Sequence, residues 1–159
     1  MINFIQETGT AANNSTSYAS IFQFKQYWED RGVVISDADT LIQGWLNQAT
    51  EFIDNKYQFM GCVVKTDQAL SWPRSFMIKR NFVYVDSDII PVELINAVCY
   101  LAAEAKKGNL NRVDEGISSY SYGVVSKTFK DSSDSIDYPA VEKYLKSFII
   151  SGVQMVRVN

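Results

Sequence analysis

Few side chains in this sequence have the types and spacing that chemistry needs. The chain of 159 residues contains no histidine. That excludes Ser-His-Asp and Cys-His nucleophile pairs and the commonest zinc sets. Cys62 and Cys99 stand far apart with no Cys-x-x-Cys spacing. Both read as structural thiols, since a free cysteine behaves as a small buried hydrophobe. Asp86 and Asp88 are a carboxylate pair, the raw material of glycoside hydrolysis. They lie just before Pro91, however, where acidic residues more simply complement a helix start. The run DSSDSID at 131–137 resembles a calcium loop only loosely. It lacks the central glycine and the closing glutamate. No GxxxxGK[ST] loop and no GxGxxG fingerprint occurs. These residues predict no catalytic centre, no metal and no cofactor.

One stretch is less bland. TDQALSWPRS, residues 66–75, opens like a loop yet carries Trp72. An indole buries a large area and needs a partner for its N–H. Pro73 restricts the backbone before it. Arg74 brings a planar fork of donors. The unit offers no nucleophile and no tunable base. Gln68, Leu70, Trp72, Pro73 and Arg74 therefore read as a structural staple or a subunit interface.

The elements that must hold this loop are helical. Ser20 is an N-cap candidate for IFQFKQYWEDR, in which Ile21, Phe24 and Trp28 share a face and Gly32 offers a stop. A second helix follows Ser36. Its stripe is Leu41, Ile42, Trp45, Leu46, Ala49, Phe52, Ile53 and Tyr57. A short extended piece is expected around Phe82–Val85. A third helix runs from near Pro91 to about Lys107, with Leu94, Val98, Leu101, Ala102 and Ala105 inward and Gly108 ending it. Residues 117–129 have β-type composition around Gly123 and read as a hairpin. A fourth helix spans about Pro139 to Ile150, with Val141, Tyr144, Leu145, Phe148 and Ile149 inward.

The expected fold is thus mainly α: a small bundle of about four helices with a β-hairpin-like insert and extended termini. Residues 1–17 read as an N-terminal arm, because 6–17 are small and polar with nothing to bury. Residues 18–152 form the helical domain, and 153–159 a C-terminal tail. The apolar tail residues Val153, Met155, Val156 and Val158, with Arg157, either pair with the N-terminal apolar piece or the hairpin, or are candidate contacts to a neighbouring chain by strand addition.

Charge narrows the partners. The net charge is −3, and no dense Lys/Arg cluster appears. Proteins that live on nucleic acid usually carry a basic patch, so tight DNA binding is not expected. No apolar run is long enough for a membrane helix. The N-terminal residues lack the pattern of a signal peptide, which makes an intracellular location the default expectation.

The block ATEFIDNKYQFMGCVVKTDQALSWPRS, residues 49–75, resembles small head–tail connector proteins of tailed bacteriophages. The matching positions are Asp54, Tyr57, Gly61, Gln68, Ala69, Leu70, Trp72, Pro73 and Arg74. Ile90 and Pro91 before the helix with AVCYLAAEA continue the match, and SYAS at 17–20 precedes it. The resemblance covers roughly residues 17–107 and weakens after that. It implies a structural neck protein of the virion, assembled in the bacterial host cytoplasm. Such a protein forms a ring, commonly twelvefold, between the portal and the next neck or tail-terminator protein. DNA passes through the channel without tight binding. The same family also carries a DnaT-like label, which implies the alternative: a replication accessory protein that binds single-stranded DNA, supported by an aromatic content of 13%.

Overall fold

The computed structural model describes residues 2–79, 81–111 and 137–150, and the backbone pairing of 120–122 with 125–127. The tail 153–159 and the acidic run 131–136 lie outside the described residues, so Val153, Met155, Val156, Arg157 and Val158 do too.

Four helices carry the core. Helix α1 (Ile21–Glu29) starts on a complete capping box: Ser20 Oγ accepts from the Gln23 N–H, and the Gln23 side chain accepts from the Ser20 N–H. Two helix-start donors are satisfied reciprocally in this way. Helix α2 (Asp39–Lys56) buries Ile42, Leu46, Ala49, Phe52 and Ile53, one stripe of a 3.6-residue period. The expected stripe is narrower at its start, because Leu41 faces solvent. Helix α3 (Val92–Lys107) lies centrally, against α1, α2 and α4 (Pro139–Leu145). It buries Leu94, Ala97, Val98, Cys99, Leu101, Ala102 and Ala105. Each fully buried leucine there contributes roughly 1.5–3 kcal/mol. Trp28 of α1 donates its indole N–H to the Cys99 carbonyl at 3.2 Å, which fixes α1 across α3.

Three two-stranded antiparallel pairs complete the described structure. Strand β1 (Cys62–Val63) pairs with β2 (Arg74–Ser75), and β3 (Met77–Ile78) with β4 (Tyr84–Val85). Strands β5 (Tyr120–Tyr122) and β6 (Val125–Lys127) form the hairpin expected within 117–129. The fold is mainly α with a small β insert.

Three expectations need correction. Residues 6–17 are not a loose arm: they wrap Glu7, which is 1% exposed. Its Oε1 accepts from the N–H groups of Gly9, Thr10 and Ala11 at 2.7–3.1 Å, and its Oε2 accepts from the Ala12 N–H and the Ser15 hydroxyl, both at 2.9 Å. Small residues let the backbone close around one carboxylate, so a polar segment with no apolar side chains of size still packs. The fourth helix stops at Leu145, short of the expected Ile150. Residues 148–150 instead run antiparallel to 58–60: Met60 N–H donates to the Phe148 carbonyl, and Ile150 N–H to the Gln58 carbonyl. Phe148 remains fully buried. Finally, only Cys99 is a buried thiol; Cys62 is exposed on β1.

Candidate functional site: a clamp that presents an apolar hairpin

The unit at 68–74, read from sequence as a staple or a subunit interface, lies between the end of α2 and the strands that follow, where its side chains clamp the backbone. Trp72 is completely buried. Its indole meets Phe59 and Phe148 edge to face, with ring centroids 5.8 and 5.5 Å away. The expected partner for its N–H is missing: Trp72 Nε1 has no hydrogen bond among the described residues. The Trp72–Pro73 peptide is cis.

Arg74 reaches back to four backbone carbonyls. Nε donates to Met60 at 2.7 Å, Nη1 to Ser71 at 3.0 Å, and Nη2 to Gly61 at 2.9 Å and Phe59 at 3.3 Å. A guanidinium presents five donors in a fixed plane, so one side chain can tie several carbonyls together. Gln68 works similarly from the other end. Its Oε1 accepts from the Val64 and Lys65 N–H groups, and its Nε2 donates to the Leu70 and Pro73 carbonyls. Leu70 packs half-buried against the core. Gly61 has φ +71°, and a Cβ there would lie 2.5 Å from the Ser75 carbonyl oxygen. Only glycine allows this approach without strain.

Beneath the clamp runs a polar strut. Asp54 of α2 accepts from the Tyr18 hydroxyl at 2.7 Å and from the Ser71 N–H at 2.9 Å. The Trp72 N–H donates in turn to the Tyr18 oxygen at 3.1 Å. Burial raises the Asp54 carboxyl above its ordinary range, although hydrogen bonds from Ser71 and Tyr18 and the nearby Arg74 charge oppose this. Burial and the adjacent Asp54 hold the Tyr18 phenol well above its ordinary range. The Tyr18 hydroxyl thus donates to Asp54 and accepts from the Trp72 N–H, tying α2 to the loop. Tyr18, Phe59, Phe148 and Glu7 were missed as site residues by sequence reasoning. SYAS at 17–20 was the available signal for Tyr18. Phe148 gave none beyond its inward place on a helix.

The clamp sets the direction of the β3–β4 hairpin, which is unusually apolar outside. Phe76 and Phe82 are 82% and 88% exposed, and both are held at positive φ, +57° and +62°. For a bulky side chain that backbone region is strained. Val83, Tyr84, Ile89 and Val92 are exposed beside them. A cleft of about 260 Å³ lies between the hairpin and the start of α3, lined by Val83, Tyr84, Ile89 and Val92 among others. Val92 also lines a second groove, of about 390 Å³, between α1 and α3, where Phe22 is exposed. Val92 is thus shared by the two grooves, although Gln23, Gln26, Asp30, Arg31 and Asn96 make the α1–α3 groove largely polar. The nearest described cations are engaged. Lys79 pairs with Glu93, and the Arg31 guanidinium lies 3.6 Å from the Tyr27 ring centroid and donates to the Tyr27 carbonyl. Asp86 and Asp88 are exposed in the turn after β4, as their spacing suggested.

Among the described residues no group of three metal-ligating side chains occurs, and no helix is long and apolar enough to cross a membrane. No curated protein and no solved structure matches the chain. One family model does, over residues 2–159, with the description "Putative DnaT-like ssDNA binding protein". The match spans the Glu7 loop, the clamp and the hairpin together, and the chain belongs to that family.

Proposed function

We propose that this chain is a structural subunit of an adaptor ring at a bacteriophage neck. In that role it sits between the portal and the next neck protein, extends the DNA channel and catalyses no reaction. The observation that carries this reading is the set of exposed apolar side chains on and beside the β3–β4 hairpin, Phe76, Phe82, Val83, Tyr84, Ile89 and Val92. Monomeric proteins seldom leave so much contiguous apolar surface in water, and patches of this kind mark protein contacts. The motif block at 49–75 gives the assembly its expected identity, because those residues build the clamp. The net charge of −3 suits a channel wall past which DNA slides, since basic contacts supply most non-specific affinity.

The comparisons favour the second reading. The family description names single-stranded DNA binding, and no match names a portal or a neck. Phe76, Phe82 and Tyr84 also have the exposure that base stacking uses. Stacking platforms normally come with free cations tracking the phosphates; Lys79 and Arg31 are engaged, and Arg80, between Lys79 and Phe82, lies outside the described residues.

Two measurements separate the readings. Purified protein mixed with portal rings and imaged by electron microscopy is expected to add a ring of density. A labelled single-stranded oligonucleotide titrated at low salt is expected to leave the protein unbound. Micromolar, salt-sensitive binding without added ring density would replace the adaptor reading with the DNA-binding one.

A further inference from the structure

We propose that the exposed edge of the β3–β4 hairpin takes up the segment 153–158 of a second copy of this chain by strand addition. This rests on the ring reading and deepens it by naming the contact between ring neighbours.

The receiving side is a two-stranded pair. Met77 is opposite Val85 and Ile78 opposite Tyr84, and neither strand has a further partner among the described residues. An unpaired edge beside exposed apolar side chains is a template for another strand. Phe82, Val83 and Tyr84, in and just before β4, are exposed.

The donating side has the matching chemistry. VQMVRVN carries Val153, Met155, Val156 and Val158 with no proline or glycine. Valine-rich segments suit a pleated, half-buried surface. Arg157 is the segment's only charged side chain, and Asp86 and Asp88 stand exposed where β4 ends. Opposite charges across a contact fix register and suppress wrong partners.

The direction of the chain at Ile150 selects a neighbour over the chain's own tail. Residues 148–150 run antiparallel to 58–60. At Ile150, the last described residue, the chain has run from opposite Met60 to opposite Gln58, away from Gly61 and β1. A contact donated by one subunit and received by the next is heterologous, and a heterologous contact that closes makes a ring.

Cysteine pairing tests this with the full chain. Cys62→Ser removes the exposed native thiol. Cys99 stays silent because it is buried, with its thiol pushed up to about 12. In that background one preparation carries Val83→Cys and a second carries Val156→Cys. The two are mixed at the highest soluble concentration, with oxidised glutathione as the oxidant. A disulfide between the preparations is expected at least tenfold above a control pairing Val156→Cys with Gln48→Cys on the exposed side of α2. Phe82→Asp in the Val83→Cys chain is expected to lower that yield several-fold while the circular dichroism spectrum is unchanged. Adduct at the control level overturns the proposal. So does a single chain bearing both cysteines that closes on itself while the mixture gives none, because its own tail then covers the hairpin. A strong adduct from a protein that adds no ring to portals would keep the tail contact and sink the ring reading.

Discussion

Trp72 and Phe148 meet edge to face with 5.5 Å between ring centroids, joining the loop after α2 to the last described turn of the chain. Between them and Phe59 the indole is wholly enclosed. Trp72→Ala is expected to cost about 3–5 kcal/mol, the usual range for truncating a large core aromatic. Urea unfolding followed by fluorescence of the two remaining tryptophans, Trp28 and Trp45, measures it. A variant of unchanged stability that no longer assembles would make Trp72 an interface residue.

Arg74→Lys keeps the charge and loses the fork. An ammonium cannot reach the carbonyls of Phe59, Met60, Gly61 and Ser71 together in one plane. The expected loss is about 2 kcal/mol, the order of one or two charge-assisted hydrogen bonds. Hydrogen exchange is expected to quicken first at β1 and β2.

Gly61→Ala tests the same corner sterically. Positive φ and the approach to the Ser75 carbonyl both act against a Cβ. A loss of about 1–3 kcal/mol is expected, read as a lower midpoint in urea with the m-value unchanged.

Glu7 supplies a pH dependence. Burial pushes its carboxyl up, but the hydrogen bonds from Ala12, Ser15, Gly9 and Thr10 outweigh this and leave it below the ordinary 4.5. Below 4.5 the unfolded chain therefore binds more protons than the folded one, and stability falls as pH falls through that window. Glu7→Gln is expected to be less stable at pH 7 and to melt with a flatter pH dependence between pH 5 and about 3. Thermal melts across that range check it; equal slopes for both proteins would contradict it.

Phe82→Asn should do the opposite of most substitutions. Asparagine tolerates the left-handed region that Phe82 occupies at φ +62°. A gain of about 1 kcal/mol is expected from relieving that backbone strain, with a loss of assembly, since the exposed ring is gone. Stability gained where function is lost is the signature of strain kept for a partner.

The helices were readable because their signals are local and periodic. Ser20 gave the α1 start, and the spacing from Ile42 to Ile53 gave α2. The residue types of the loop at 66–75 marked it as a staple or a subunit interface and excluded an active site, without deciding between the first two. What it fastens to was hidden. Arg74 binds backbone carbonyls, which carry no sequence signature, and Asp54 reaches Trp72 only through Tyr18. The Glu7 loop was misread for the same reason: its packing consists of main-chain N–H groups around one carboxylate. Phe148 was placed inward on a helix and is inward without one, because the bridge between Ile149 and Phe59 replaced the last helical turn. Neither periodicity nor composition shows that Phe76 and Phe82 face water, since aromatic residues are ordinarily core.

The pairing of 148–150 with 58–60 also imposes an order of events. Phe148 is made after α2, both early strand pairs and α3, so a chain emerging from the ribosome carries those elements before it can close over Trp72. Until then the base of the hairpin lacks one wall and its direction is unset. Only a chain synthesised through Ile150 presents Phe76, Phe82 and Tyr84 in their final orientation.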